Sequence, residues 1–552
     1  MINQAISHAP GAPHVPGPIT RTPPYRALML ALCVGVCLGV FATSARAQSA
    51  PPSVDILITG ANVYDGTGQP AHRVDIGIRA DRIVFVGVAP PTLSAATRIN
   101  ATGLIAAPGF IDPHPHSFEG LPDLDITARR NIPALMQGVT TVVLGADGRG
   151  PLDVTRVLDA SQRAGLGTNV YAMAGFGTAR IQVLGASAAA ATREQVDAMR
   201  ALIAQAMREG AYGVGSGLFY APQSYASTDE VIAVVSAAKP FGGVYDTHQR
   251  DESSYTIGLL ASVRESIRIG CESGLTANIG HIKALGVDVW GKADSVLAIM
   301  ADARRRGCTV TADQYPWTAS GTALSAALLP RWAEAGGADS LRVRIADTAQ
   351  RARMLTEMRE NLRRRGGDST LLLTSGDVRT KRFLGRTLKQ VAVEHGRLAS
   401  ETALDLISDG MDMGVASFNM TEADIAAFMR DPYVMTSSDG SDGHPRLYGT
   451  YPRKIRRYVI EQHVITMERM VQSSSGQVAS VYGLTDRGVL RAGAFADVIV
   501  FDPATITDVA TYVHPKQLAV GIRWVFVNGR TAVANGKPTG VFAGRALRRI
   551  RP

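Results

Sequence analysis

The chain of 552 residues has little cysteine, few aromatics and no long apolar segment past its first fifty residues. Only four cysteines occur, so no disulfide framework organises the fold. Aromatic residues are 6 % and tryptophans number four. There is no aromatic-rich stretch interleaved with basic residues, and no motif of RNA or DNA binding. Past the amino terminus, no uncharged apolar stretch reaches the roughly 20 residues a membrane span needs. Glycine is abundant at 56, but without the three-residue period of collagen. Internal repeats and heptad runs are absent too. What remains is a globular chain, 46 % hydrophobic and 19 % charged. At ~100–200 residues per domain it holds several units, or one large barrel with an accessory domain.

The formal charge of +9 comes in part from the front. The first 47 residues carry Arg21, Arg26 and Arg46 and no acidic residue, which leaves +6 for the rest. Arg26 precedes a 15-residue apolar run, ALMLALCVGVCLGVF, and then Ala45-Arg46-Ala47. A positive flank, a short apolar core and a small-x-small site make a secretory signal over residues 1–47. The expected product is an exported, periplasmic protein with no membrane segment after cleavage. It keeps Cys271 and Cys308, each in an apolar segment. Two buried thiols are the expectation, with one disulfide between them left open. The runs Arg304-Arg305-Arg306 and Arg363-Arg364-Arg365 end helical stretches and are expected to be solvated.

Residues 48–106 read as short strands between turns, and residues 481–552 read the same way. The two flanks are expected to form one small β-sandwich domain. Between them, over 107–480, eight β-branched runs alternate with helical patterns at 193–208, 255–273 and 294–306. Such alternation predicts a parallel α/β fold, a TIM-like (β/α)8 barrel. The first strand lacks a Gly-rich dinucleotide turn, which argues against a doubly wound sheet. Residues 331–400, polar and helical, are expected to be an insertion or lid, since a barrel needs only about 250 residues.

Chemistry is written at the strand ends. The first strand closes in PGFIDPHPH, where His114 and His116 share a face because strand side chains alternate. His248 closes GVYDTH, and His281 closes TANIGH with Lys283 on the same face. Asp147 follows VTTVVLG and Asp439 follows YVMTSS. Barrel active sites lie at the carboxyl ends of strands. Four histidines and two aspartates at five such ends predict a one- or two-metal site, with zinc the first expectation. Arg250, Asp251 and Glu252, next to His248, either orient the histidines or form a solvated loop. Trp290 and Trp317 either line a pocket or fill the core, with core preferred. The GVGSGLF glycines read as close backbone packing, since no Lys-Ser/Thr follows them.

PGFIDPHPH resembles the signature of the amidohydrolase superfamily. GVTTVVLGADG, GAYGVGSGLFYAPQSYAS, YDTHQRDESS, IGHIKALG, TADQYPWTAS, HPRLYGTYPR and DRGVLRAGAFADVIVFDPATI resemble the N-acyl-D-amino-acid deacylase (D-aminoacylase) family in order along the chain. The resemblance implies a barrel plus a small β-domain, a zinc site and hydrolysis of a linear amide. It implies that His248 and His281 hold the tight metal and that His114 and His116 hold a second, weaker one. It makes Asp439 the catalytic carboxylate, also touching the second metal, and Arg446 the anchor of a substrate carboxylate. Tyr315 then lies near substrate and Lys283 adjoins the metal. Two positions depart from the family. Asp147 stands where a cysteine is usual, a harder ligand that also admits manganese or cobalt. Gly321 stands where a substrate-binding serine is frequent. The loop from Asp439 to Arg446 is also shorter than usual. These departures keep a dipeptide, a cyclic amide or an N-acyl-L-amino acid as alternative substrates, with an inactive binding protein behind them. The sequence sets no oligomeric state.

Overall fold

The computed structural model describes residues 53–549. The expected targeting segment therefore lies outside the described residues. No helix among the described residues is long and apolar enough to cross a membrane.

Eight parallel strands follow one another in chain order: β1 (Phe110–Asp112), β2 (Val139–Leu144), β3 (Asn169–Ala172, resumed at Ala174–Gly175), β4 (Gly213–Gly217), β5 (Val244–His248), β6 (Thr276–Ile279), β7 (Val310–Gln314) and β8 (Val434–Thr436). Strands β1 to β3 pair in one parallel ladder and β3 to β8 in another. β1 and β8 are joined by loop contacts: Ser438 N–H donates to Asp112 Oδ1 at 3.0 Å, and His116 N–H to Gly440 O at 2.9 Å. Helices separate the strands, so this is the (β/α)8 arrangement.

Glycine makes the ring tight at β4. A Cβ on Gly213 would lie 2.0 Å from Val244 O, and one on Gly217 would lie 2.6 Å from Asp147 O. The GVGSGLF run is close backbone packing, and it brings Asp147 against the strand beside His248, whose register partner is Gly217.

The outer helices follow their sequence signals. Arg193–Arg208 starts at a Thr192–Gln195 capping box and buries Met199, Ile203, Ala206 and Met207 along one face. The helix expected from 255 begins instead at Leu259. Asp251 accepts the N–H groups of Ser253, Thr256 and Gly258 at 2.6–3.0 Å and bends the chain into a loop first. Cys271 and Cys308 form a disulfide, which replaces the expectation of two free thiols. Cys271 lies in the last turn of the helix from 259 and Cys308 just before β7, with their Cα atoms 5.5 Å apart, within disulfide reach.

Segments from both flanks of the barrel enter one nine-stranded sheet. Ser53–Val63 pairs with His72–Arg79, Ser94–Asn100 and Ile105–Pro108, and Val498–Phe501 pairs antiparallel with Ile105–Pro108. Ile56, Ile58, Ile76, Val498, Val500 and Phe526 share its core. The last strand departs from this plan: Ala546–Leu547 pairs with Val170–Tyr171 of the barrel, not with the flanking sheet.

The insertion between β7 and β8 is wider than 331–400. Its three antiparallel strands, Ala319–Ala323, Gly414–Phe418 and Leu371–Ser375, enclose it from both sides. It has its own core of Leu328, Met354, Met358, Leu373, Phe383 and Leu404. Of the two arginine runs, Arg305 and Arg306 are exposed and pair with Asp302. Arg365 is a correction, because it is fully buried beneath the insertion's own strands.

Candidate metal centre

The carboxyl ends of β1, β2, β5, β6 and β8 place six side chains around one point. Asp147 is its hub. Its Oδ1 lies 3.1 Å from His114 Nε2, 3.5 Å from His248 Nδ1 and 3.6 Å from His281 Nε2. Its Oδ2 lies 3.7 Å from His116 Nε2. Asp439 Oδ1 is 3.2 Å from His116 Nε2 on the other side. Asp147, His281 and Asp439 all have positive φ, of 56°, 35° and 46°. Non-glycine residues avoid that region, and such strain gathers where a side chain must be aimed.

The donor set fits a divalent cation. His114, His116 and Asp147 form one three-donor group, and Asp147, His248 and His281 form another, with ligand atoms within 4.8 Å of one another. His248 buries both ring nitrogens, and His114 its Nδ1, without hydrogen-bond partners. Buried polar atoms are rarely left so. The electrostatics also call for positive charge. Burial alone would push His116 down, but Asp439, Glu119 and Asp147 raise it to about 9. His114 is raised the same way by Asp147 and Asp246 against its burial. For His248 burial prevails, and its pKa is lowered. Burial opposes ionisation of Asp147 and Asp439 as well. His248 and His114 outweigh it at Asp147, and Arg446 and His281 at Asp439, so both carboxyls sit well below their ordinary range.

Arg446 NH1 lies 2.7 Å from Asp439 Oδ2, and its NH2 reaches Gly321 O and Ser441 Oγ at 3.3 Å. His444 positions it: His444 Nδ1 accepts the Arg446 N–H at 3.1 Å, and Nε2–H donates to Ala319 O at 3.1 Å. Burial and the neighbouring Arg446 keep His444 neutral, which suits this tautomer. Lys283 Nζ lies 2.7 Å from His281 Nδ1 and donates to Glu252 Oε1 at 2.6 Å. The Tyr315 hydroxyl is buried without a partner, and Arg446 stacks 4.7 Å over its ring. A cavity of about 490 Å³ opens over Asp147, Asp439 and Arg446, walled on its far side by Thr322, Thr374 and Met413 of the insertion.

The D-aminoacylase of Alcaligenes xylosoxydans xylosoxydans is 33 % identical over 535 residues, 91 % of this chain and 99 % of that protein. The chain belongs to the D-aminoacylase family. The sequence model of the amidohydrolase family matches residues 379–533. The crystal structure of a D-aminoacylase superposes with a TM-score of 0.76 at 32 % identity, covering 90 % of this chain and all of that one. That of N-acyl-D-glutamate deacylase from Bordetella bronchiseptica, complexed with zinc and a phosphonate inhibitor, gives 0.75 at 29 % identity over the same shares.

Arg250 is a correction within this family site, for it touches no histidine. It donates to Glu265 at 2.9–3.0 Å and to the carbonyls of Ser224 and Ala226, clamping the loops after β4 and β5. Its neighbour Glu252 faces the histidines instead, 3.2 Å from His281 Nδ1 and 3.7 Å from His248 Nε2. Trp290 is 43 % exposed and donates to Asn419 O, so it is not core, whereas Trp317 is buried. Asp246 and Asp313 escaped the sequence reading. Asp246 lies 3.6 Å from His114 Nδ1, and Asp313 accepts the His281 N–H at 2.8 Å. The signal existed in part, since Asp246 stands two residues before His248 on one strand face.

Proposed function

We propose that this site hydrolyses the amide bond of N-acyl-D-amino acids to a carboxylic acid and a D-amino acid, with zinc at the centre. The observation that carries it is the Asp439–Arg446 pair set beside the Asp147 hub: an ionised carboxylate and a guanidinium in one cavity with the metal donors. His248 and His281, joined by Asp147, would hold one ion, and His114 and His116, joined by Asp147 and Asp439, a second. A divalent metal held there supplies an acidified water at neutral pH and a Lewis acid for the amide carbonyl.

The protein's own groups do the rest. Asp439 accepts the proton of the attacking water on its carboxylate and delivers it to the departing amine nitrogen. Its low pKa, set by Arg446, His281 and His116 against burial, keeps it ionised before the reaction. Arg446 receives the substrate carboxylate on its planar edge, which lysine could not match. Its Nε is buried without a hydrogen-bond partner and is free for substrate, while NH1 is held 2.7 Å from Asp439 Oδ2. Glu252 and Lys283 hold the His281 ring at its Nδ1 side.

Export to an oxidising compartment belongs to the same reading. The secretory pattern of residues 1–47 and the Cys271–Cys308 bond support it.

The test is an assay of the protein without its first 47 residues, with metal content measured on the same sample, against paired N-acetyl-D- and N-acetyl-L-amino acids. Release of D-amino acids alone, lost with chelator and restored by zinc, is expected. Release from the L series, or from neither with metal bound, would overturn the substrate assignment. A protein with neither metal nor activity would be a binding protein.

A further inference from the structure

The inserted subdomain carries two short neighbouring helices, Val378–Phe383 and Leu388–Glu394, just after the strand that lends Thr374 and Ser375 to the cavity wall. The first is a 3-10 helix, which repeats every three residues. It buries Thr380 and Phe383 and turns Val378 and Lys381 outward, one above the other, with Leu384 at its end. The second buries Leu388, Val391 and Ala392 and turns Lys389 and Val393 outward, four residues apart on one face. The rings of Phe383 and His395 meet edge to face at 5.9 Å, which sets the ends of the two helices side by side. Val513 joins them from a distant loop: a Cβ on Gly385, in the turn between the helices, would touch its Cγ1 at 4.0 Å.

This pair of helices is apolar and basic at once. Val378 is 75 % exposed, Val393 72 % and Val513 62 %. Single exposed apolar residues need no explanation, but several on one short segment do. Residues 377–397 also hold six cations against two carboxylates. Arg379 pairs with Asp377, Arg386 with Glu394 and Arg397 with Asp405. Lys381, Arg382 and Lys389 are exposed and form no salt bridge among the described residues. Protein interfaces are depleted in lysine and anchored by Trp, Tyr or Arg in pockets. Here the aromatic side chain, Phe383, is buried, and valine, leucine and lysine face outward. Basic groups set among small apolar ones are the composition of a surface that rests on anionic lipid. No helix among the described residues is long and apolar enough to span a membrane, so such a contact is peripheral.

We propose that this helix pair docks the protein on an anionic phospholipid surface, with Lys381, Arg382 and Lys389 at the headgroup phosphates and Val378, Leu384 and Val393 at the first acyl carbons. The charges draw the face to the bilayer over about a Debye length, and the apolar side chains hold it there on contact. The strand Leu371–Ser375 leads from the cavity wall into the first helix, so docking sets the cavity beside the bilayer. Docking does not depend on which amide the site cleaves.

The experiment sediments the zinc-loaded protein, without its first 47 residues, with vesicles of equal parts phosphatidylglycerol and phosphatidylcholine and with vesicles of phosphatidylcholine alone. Partition onto the anionic vesicles only is expected, falling as salt rises. Lys381→Gln, Arg382→Gln and Lys389→Gln together are expected to lower it by about 100-fold, roughly fivefold for each charge. Val378→Ser with Val393→Ser should lower it by about tenfold. Both variants should keep the wild-type thermal midpoint, since all five side chains are exposed. Lys292→Gln, Arg523→Gln and Lys537→Gln together remove the same charge from exposed positions elsewhere and should leave partition near wild type. An equal loss in that control would mean attraction by net charge alone and would overturn the face. No partition of the wild type onto anionic vesicles, or no loss in the first variant, would overturn the lipid assignment and leave the helix pair to an acidic protein surface.

Discussion

At the barrel mouth, every donor sits within a few residues of a strand end, and its neighbours along the chain aim it. In the inserted subdomain, Arg365 is buried at the end of a helix and held by contacts with Ala327 and Ser417, 38 and 52 residues away. The first region is built by local rules repeated eight times around a ring. The second is built by one fold packing over that ring. The metal donors therefore come from the part that repeats, while the insertion adds a wall of the cavity above them.

The largest effect that should separate the two regions is on turnover. Asp439→Asn is expected to lower kcat by about 10³-fold through loss of proton transfer. Metal held by His248, His281 and Asp147, measured by mass spectrometry, should stay bound. Near-normal kcat would remove Asp439 from the reaction. Leu373→Ala, in the core of the insertion, should cost about 2–5 kcal/mol of stability in a denaturant titration while the barrel keeps its metal. Metal loss in step with unfolding of the insertion would show the two regions to be one cooperative unit.

On the barrel side, Cys271→Ala with Cys308→Ala removes the bond between the helix after β5 and the approach to β7. The expected loss is about 2–4 kcal/mol in the same titration. Arg446→Ala should raise KM for free carboxylates by about 10–100-fold and much less for the corresponding amides. Equal effects on both series would refute the anchor. The smallest effect belongs to the exposed run: Arg306→Ala, losing its contact with Asp302, should change stability by under about 1 kcal/mol. A larger loss there would mean that solvated and buried arginines cannot be told apart by their surroundings.

The barrel was legible because strand alternation and strand-end position are local facts. The spacing of His114 and His116, and the ends of GVYDTH and TANIGH, place side chains without knowledge of what lies across the ring. The insertion was less legible at its edges, because ASGTA carries no alternation and its pairing partner, Gly414–Phe418, lies about a hundred residues on. Arg250 and Glu252 show the same limit on a smaller scale. They are two residues apart, yet one clamps a loop and the other faces the histidines, and the Asp251 turn between them decides which.

By itself the sequence determined the eight-strand succession and the gathering of metal-type donors at the strand ends, while the amidohydrolase chemistry entered through the family resemblance of its motifs. The first two depend on residue type and on periods of two and 3.6, which the chain carries everywhere along its length. Only the tertiary structure decided that Cys271 meets Cys308, that Ala546–Leu547 joins the barrel, and that Arg365 is buried beside the site. Each of those outcomes depends on which distant segment takes up the neighbouring space. Packing settles that through the sum of many weak contacts, which no short stretch of sequence contains.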